Sequence, residues 1–211
     1  FGDANEEVSL NPKEIALAVV LSLCLSVLLF SVTPFFLTSL LPLERGVFFS
    51  LIEGVVRLSI LLGYLAAVSR LGEFRRILQY HGAEHATINA YEAGVELNVE
   101  NVKEYSRFHP RCGTSFLLIV TVISILFFSF ITSPNYFVSL SYRIILIPVI
   151  SSISYELLRL SDKYKNSIVV RGMVAPGLLL QRLTTQQPDD KMLEVAITAV
   201  KEVESLQQAN E

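Results

Sequence analysis

Between Ile15 and Leu43 the chain carries no charged side chain. A helix needs about 20 mostly apolar residues to cross the ~30 Å hydrocarbon core of a bilayer, and this run is long enough to do so with tilt. Pro34 and Pro42 fall towards its end, where a kink or an exit is expected. A second apolar run, from Gly46 to Ser69, contains Glu53 and Arg57 four residues apart, so the two charges can pair on one helix face. The third run is Thr114 to Thr132. The turn residues Ser133, Pro134 and Asn135 then lead into a fourth, from about Tyr136 to Leu158, which contains Arg143 and Pro148. Glu53, Arg57 and Arg143 read as a structural ion pair between helices, because a cation pathway would not favour two arginines.

The polar stretches carry helical patterns of their own. Gly72 to Ala93 predicts a helix ended by Gly94, a residue suited to the left-handed cap position. A second helix is expected to start at Asn98 or Val99 and to continue until Pro110 stops it, after which Thr114 or Ser115 would cap the third span. Near the end, Pro188, Asp189 and Asp190 open a helix in which Leu193, Ala196, Ile197, Val200 and Val203 form an apolar stripe. The preceding "PGLLLQRL" suits the membrane interface. The pattern therefore predicts an all-α, polytopic membrane protein with about four transmembrane helices and a helical cytoplasmic domain. Its parts are a polar segment (1–14), spans one and two (15–69), a helical loop (70–113), spans three and four (114–158) and a helical tail (159–211).

Composition supports the class: 52% of the 211 residues are hydrophobic, and the mean hydropathy is +0.51. Lys and Arg accumulate in the 70–113 loop, at Arg70, Arg75, Arg76, Lys103, Arg107 and Arg111, whereas the first connection holds only Arg45 and the third none. The loop and both termini are therefore expected on the cytoplasmic side. The net charge of −3 selects no partner beyond the lipid bilayer, and no nucleic-acid signature is present. Cys24 and Cys112 differ in depth by about half a membrane, so no disulfide is expected. The first span does not read as a signal peptide, because an acidic segment precedes it. The start at Phe1 points to a processed or truncated form.

All three histidines fall in the 70–113 loop. In "YHGAEHATINAYE", His81 and His85 lie one helical turn apart and can reach one ion from the same side, with Glu84 beside the second. The order H-x-x-E-H is that of the inverzincin metalloproteases, in which the Glu activates water. For a third ligand His109 ranks first and Cys112 second, since both arrive on a separate segment at a proline break. Glu92 lies seven residues beyond His85, about 10 Å along an unbroken helix; it and Tyr91 become residues that support ligands or face substrate. The mixed His and Cys set favours Zn2+, without excluding another divalent transition metal. Glu84 is the expected general base, and Arg111 would stabilise a developing oxyanion or bind a substrate phosphate. Plainer readings stand beside this one: H-x-x-E-H as an accident of a polar helix face, and Cys112 as a buried structural thiol or as a nucleophile paired with His109.

The blocks "YHGAEHATINAYE", "VENVKEYSRFHPRCGTSF" and "PGLLLQRLTTQQPDDKMLEVAI" resemble the YqhQ-like family of bacterial membrane proteins, an uncharacterised group described as predicted metal-dependent enzymes. The resemblance implies a bacterial inner-membrane location, a metal and an enzyme, but no substrate. Family members begin with a soluble Gly-rich segment, and nothing matching it precedes Asn11. The segment is expected to have been removed or never to have been present.

The leading expectation is a zinc-dependent hydrolase acting on an amide or ester of a membrane-anchored or membrane-proximal substrate. The alternatives are a metal-stabilised scaffold or assembly factor without catalysis, and an acyl-transfer enzyme using Cys112 and His109.

Overall fold

The computed structural model describes residues 11–131, 136–164 and 167–209, and every regular element among them is helical. The turn expected at Ser133, Pro134 and Asn135 and the side chain of Arg143 lie outside the described residues.

The first span is built from α1 (Pro12–Val27), a π-helical turn (Leu28–Val32) and α2 (Thr33–Ser39). Asn11 caps α1, its Oδ1 accepting the Lys13 N–H at 3.1 Å. Pro34 has no N–H to continue an α-helical ladder. The π turn absorbs the irregularity just ahead of it, and the Thr33 hydroxyl donates to the Leu28 carbonyl at 2.8 Å. Eight large apolar side chains between Ile15 and Val27 are exposed. Left in water, they would forgo about 1.5–3 kcal/mol each, in sum as large as the about 5–15 kcal/mol that holds a typical domain together. Their solvent is hydrocarbon.

With α3 (Val47–Val68) and the Ile144–Ser161 part of α7 (Tyr136–Lys163), the first span gives three helices long and apolar enough to cross a bilayer. The chain is thus a helical, membrane-associated protein. The third expected span is the shorter apolar helix α6 (Gly113–Ser129), at 17 residues. It is the hub, packed against α3, α7 and α8 (Ile168–Thr184). Gly54 on α3 and Gly177 on α8 permit these approaches, because a Cβ at either would fall 2.5 Å from Ile125 Cγ2 or 2.8 Å from Ser115 Oγ. The expected pairing of Glu53 with Arg57 is present within α3, with Glu53 buried.

Outside the apolar bundle, α4 (Gly72–Glu92), α5 (Val99–Lys103) and α9 (Asp190–Ala209) form a second core. Ala83, Ala86 and Ala90 let α4 approach Met192, Leu193 and Ile197 of α9 closely. The end of α4 follows the sequence closely. Gly94 takes φ +70°, its N–H donates to the Tyr91 carbonyl, and the Val95 N–H donates to that of Ala90, a Schellman closure. Asp189 accepts the Met192 N–H at 2.9 Å and starts α9. In contrast, α5 stops after five residues, well short of Pro110. α5 closes instead with the Glu104 and Tyr105 N–H groups donating to the Asn101 and Val102 carbonyls, and the chain beyond runs along α4, where Asn89 Nδ2 donates to Ser106 O at 2.7 Å and Phe108 O at 3.1 Å. The segment carrying His109 and Cys112 is thereby pinned along α4.

Candidate metal centre

Helical spacing puts His81 and His85 on one face of α4, and their ring centroids are 4.3 Å apart. Each ring is oriented from behind by a backbone carbonyl. His81 Nδ1 lies 2.7 Å from Thr184 O, and His85 Nδ1 lies 2.8 Å from Arg107 O. A carbonyl only accepts, so each Nδ1 must carry the proton, and in the neutral ring Nε2 is left with its lone pair free. This is the arrangement that orients metal-binding imidazoles from outside the ligand set.

Cys112 meets them from the other side. It is the N-cap of α6, in place of the expected Thr114 or Ser115, and its Sγ accepts the Thr114 N–H at 3.4 Å. Sγ lies 3.3 Å from His81 Nε2, and ligand atoms of His81, His85 and Cys112 all fall within 4.8 Å of one another. Two ligands of one tetrahedral zinc, at ~2.3 Å for sulfur and ~2.05 Å for nitrogen, stand about 3.6 Å apart, so the separation found suits such an ion. A soft thiolate with two imidazoles is also a donor set that zinc favours.

His109 is held differently. Its Nδ1 accepts the Arg111 N–H at 3.2 Å, which leaves the proton on Nε2, 3.4 Å from Glu92 Oε1. Ranked first as third ligand on sequence grounds, it presents a donor to an acid, while Cys112 stands with the two α4 histidines. Glu92 also binds the Arg111 guanidinium. The unbroken α4 does keep Glu92 from His81 and His85; it reaches instead the segment that returns beside it. Tyr91 is exposed and turns away to a neighbouring groove.

These groups line an open pocket of about 360 Å³, with Glu84, Glu92 and Arg111 at its polar wall and Ile88 as an apolar one. Electrostatics follow from the contacts. Burial opposes ionisation of the Cys112 thiol, but hydrogen bonding with His81, His85 and Thr114 outweighs it and brings the pKa from 9.0 to about 5. The Cys112 contact correspondingly raises His81 above 6.5, against the effect of burial. His109 is lowered, chiefly by burial and only partly offset by Glu92.

Two supports of the site escaped the sequence. Gln181 of α8 is fully buried; it accepts the His109 N–H at 2.8 Å and donates to the His109 carbonyl at 2.7 Å and to Ser115 Oγ at 2.9 Å. The one signal was a lone amide inside an apolar stretch. The other support is Gly82, between the two α4 histidines, where the 184–187 segment crosses so closely that a Cβ would lie 2.1 Å from Gln186 O.

Comparison with known proteins assigns no activity. No solved structure matches the chain. The uncharacterized protein YqhQ of Bacillus subtilis (strain 168) is 37% identical over 203 residues, which are 93% of this chain and 63% of that protein. The chain therefore spans less than two thirds of that relative's length. Residues 2–206 match the family described as "Protein of unknown function (DUF1385)", and the chain belongs to this YqhQ-like family.

Proposed function

We propose that the protein is a zinc-dependent hydrolase that cleaves an amide or ester of a membrane-anchored or membrane-proximal substrate. The observation that carries the reading is the pair of imidazoles locked through Nδ1 onto Thr184 O and Arg107 O, with Cys112 opposite them. His81, His85 and Cys112 would hold the ion, and the open pocket leaves room for a reacting group. When bound, zinc supplies Lewis-acid polarisation of the carbonyl and acidifies water.

The remaining chemistry belongs to the chain. Glu84, exposed on the pocket wall beside His81, accepts the proton of the attacking water and returns it to the leaving group. Arg111 and the Nε2–H of His109 supply donors for a developing oxyanion, both now engaged with Glu92. The test is cleavage of a mixed library of quenched fluorogenic peptides and esters by zinc-loaded protein. Glu84→Gln should lose turnover by about 100-fold or more while keeping its zinc. Loss of zinc together with activity would make Glu84 a ligand and refute its role as base.

A second reading rests on the 3.3 Å contact of Cys112 with His81: a thiol nucleophile and its base, without metal. The partner in this acyl-transfer reading is His81 and not His109. Chelators would leave such an activity intact. The scaffold reading calls for a closed set of His81, His85, His109 and Cys112, and the engagement of His109 Nε2 with Glu92 argues against it.

For topology, we infer that both termini and the metal centre lie on the cytoplasmic face of the bacterial inner membrane. Packing of α9 on α4 requires an even number of crossings between them. The Ile144–Ser161 span provides one, and among the described residues α6 is the apolar helix available for the other. The Lys and Arg excess in the 70–113 loop then selects the side.

A further inference from the structure

Beside the core face of α4, a groove of about 530 Å³ lies between α4 and α9. Its α4 wall is Tyr80, Glu84, Ile88 and Tyr91, a stripe at helical spacing. On α9 it is bounded chiefly by Val195, Ala199 and Val203. Val195 and Val203 are 54% and 65% exposed, so the apolar stripe of α9 is wider than the core it covers. The outer part of that stripe has no cover among the described residues.

The groove adjoins the candidate metal centre, with Glu84 and Ile88 lining both. The place of this junction decides what fits. On α4 the shared residues sit between Tyr80 and Tyr91, so the pocket lies beside the middle of the groove and not at its end. A molecule with one apolar tail and a terminal scissile bond would need the pocket at the end of its channel. A chain with apolar groups on both sides of the scissile bond would lie along the groove and pass the pocket midway. The charges favour the same class of ligand: Glu84 and Glu204 line the groove and no Lys or Arg does, which suits an uncharged or basic chain better than an anionic lipid head. From Tyr80 to Tyr91 the wall is about 16 Å long at 1.5 Å per residue. That length takes about five residues of extended polypeptide at ~3.3 Å each.

We infer that the α4–α9 groove is the binding cleft for an extended polypeptide segment, whose alternate apolar side chains lie against Val195, Ala199 and Val203 while its backbone passes the His81–His85–Cys112 pocket. The inference rests on the hydrolase reading and narrows its substrate to a peptide bond within an apolar stretch. Specificity comes from the side chains taken up by the groove on either side of Ile88. Glu204 favours a basic residue in the segment.

The test is binding and not turnover. A fluorescein-labelled decapeptide alternating Leu and Ser is titrated by anisotropy onto the full chain in lipid nanodiscs, with empty nanodiscs as control and zinc counted in the same samples. Val203→Asp and Ala199→Asp, both at exposed positions, should each weaken binding about tenfold or more without changing zinc content. Affinity unchanged in both variants would overturn the inference, as would binding of a labelled dodecanoate in the groove that the peptide does not displace. Peptide binding by a chain that takes up no zinc would sustain the cleft and sink the hydrolase. Zinc uptake without peptide binding would do the reverse.

Discussion

Replacing Gln181 by Met keeps a side chain of similar length in a fully buried position and removes every hydrogen bond the amide makes. The His109 N–H and C=O, 2.8 and 2.7 Å from the amide, are then left in a buried residue without that partner. An orphaned buried group costs about 1–3 kcal/mol, so the pair predicts a loss of about 2–6 kcal/mol, a large share of the about 5–15 kcal/mol typical of a domain. The loss should reach the candidate metal centre, because Gln181 fixes the segment that delivers Cys112, three residues after His109. Helix content followed by circular dichroism in increasing denaturant would measure the stability. Competition with a chromophoric chelator would measure zinc affinity, which should fall by about tenfold or more. A variant within about 0.5 kcal/mol of the parent, with unchanged zinc affinity, would refute the claim that α8 positions the site.

Two further outcomes follow from the same geometry. Gly82→Ala sets a Cβ against a backbone carbonyl that cannot swing aside; it should displace the 184–187 segment, break the Thr184 contact to His81 and reduce zinc affinity at least as much as Gln181→Met. Normal zinc binding in folded, detergent-solubilised Gly82→Ala protein would contradict that crossing. In a Cys24→Ser background without metal, the Cys112 thiol at about 5 is already thiolate near neutrality. Its iodoacetamide rate should therefore be nearly flat between about pH 6 and 8, where an ordinary thiol gains about tenfold per unit; a tenfold rise per unit would show that the imidazoles do not lower it.

What could be read from the sequence was whatever local chemistry determines. The charge-free run to Leu43, the cap at Gly94 and the start of α9 at Asp189 are each decided by residues within a few positions of one another, and each is found. The gathering of three histidines and Cys112 in one loop was also legible, and all four line one pocket. Which donors meet was not. That depends on the His109 tautomer, set by the Arg111 N–H and by Glu92 from α4, and on the Cys112 position as cap of α6. The length of α5 was missed for a related reason: the chain after it is held along α4 by Asn89 and His85, 17 to 22 residues away, and no local rule sees those contacts. Gln181 and Gly82 act at still longer range, through α8 and the segment after it, where propensity carries no information.

The most direct test of the account is the zinc content, by elemental analysis, of protein purified without chelator, beside His85→Ala, Cys112→Ala and His109→Ala. The account predicts about one zinc per chain, lost from His85→Ala and Cys112→Ala and retained in His109→Ala. Absence of metal from the parent chain, or zinc that survives Cys112→Ala and vanishes with His109→Ala, would contradict it.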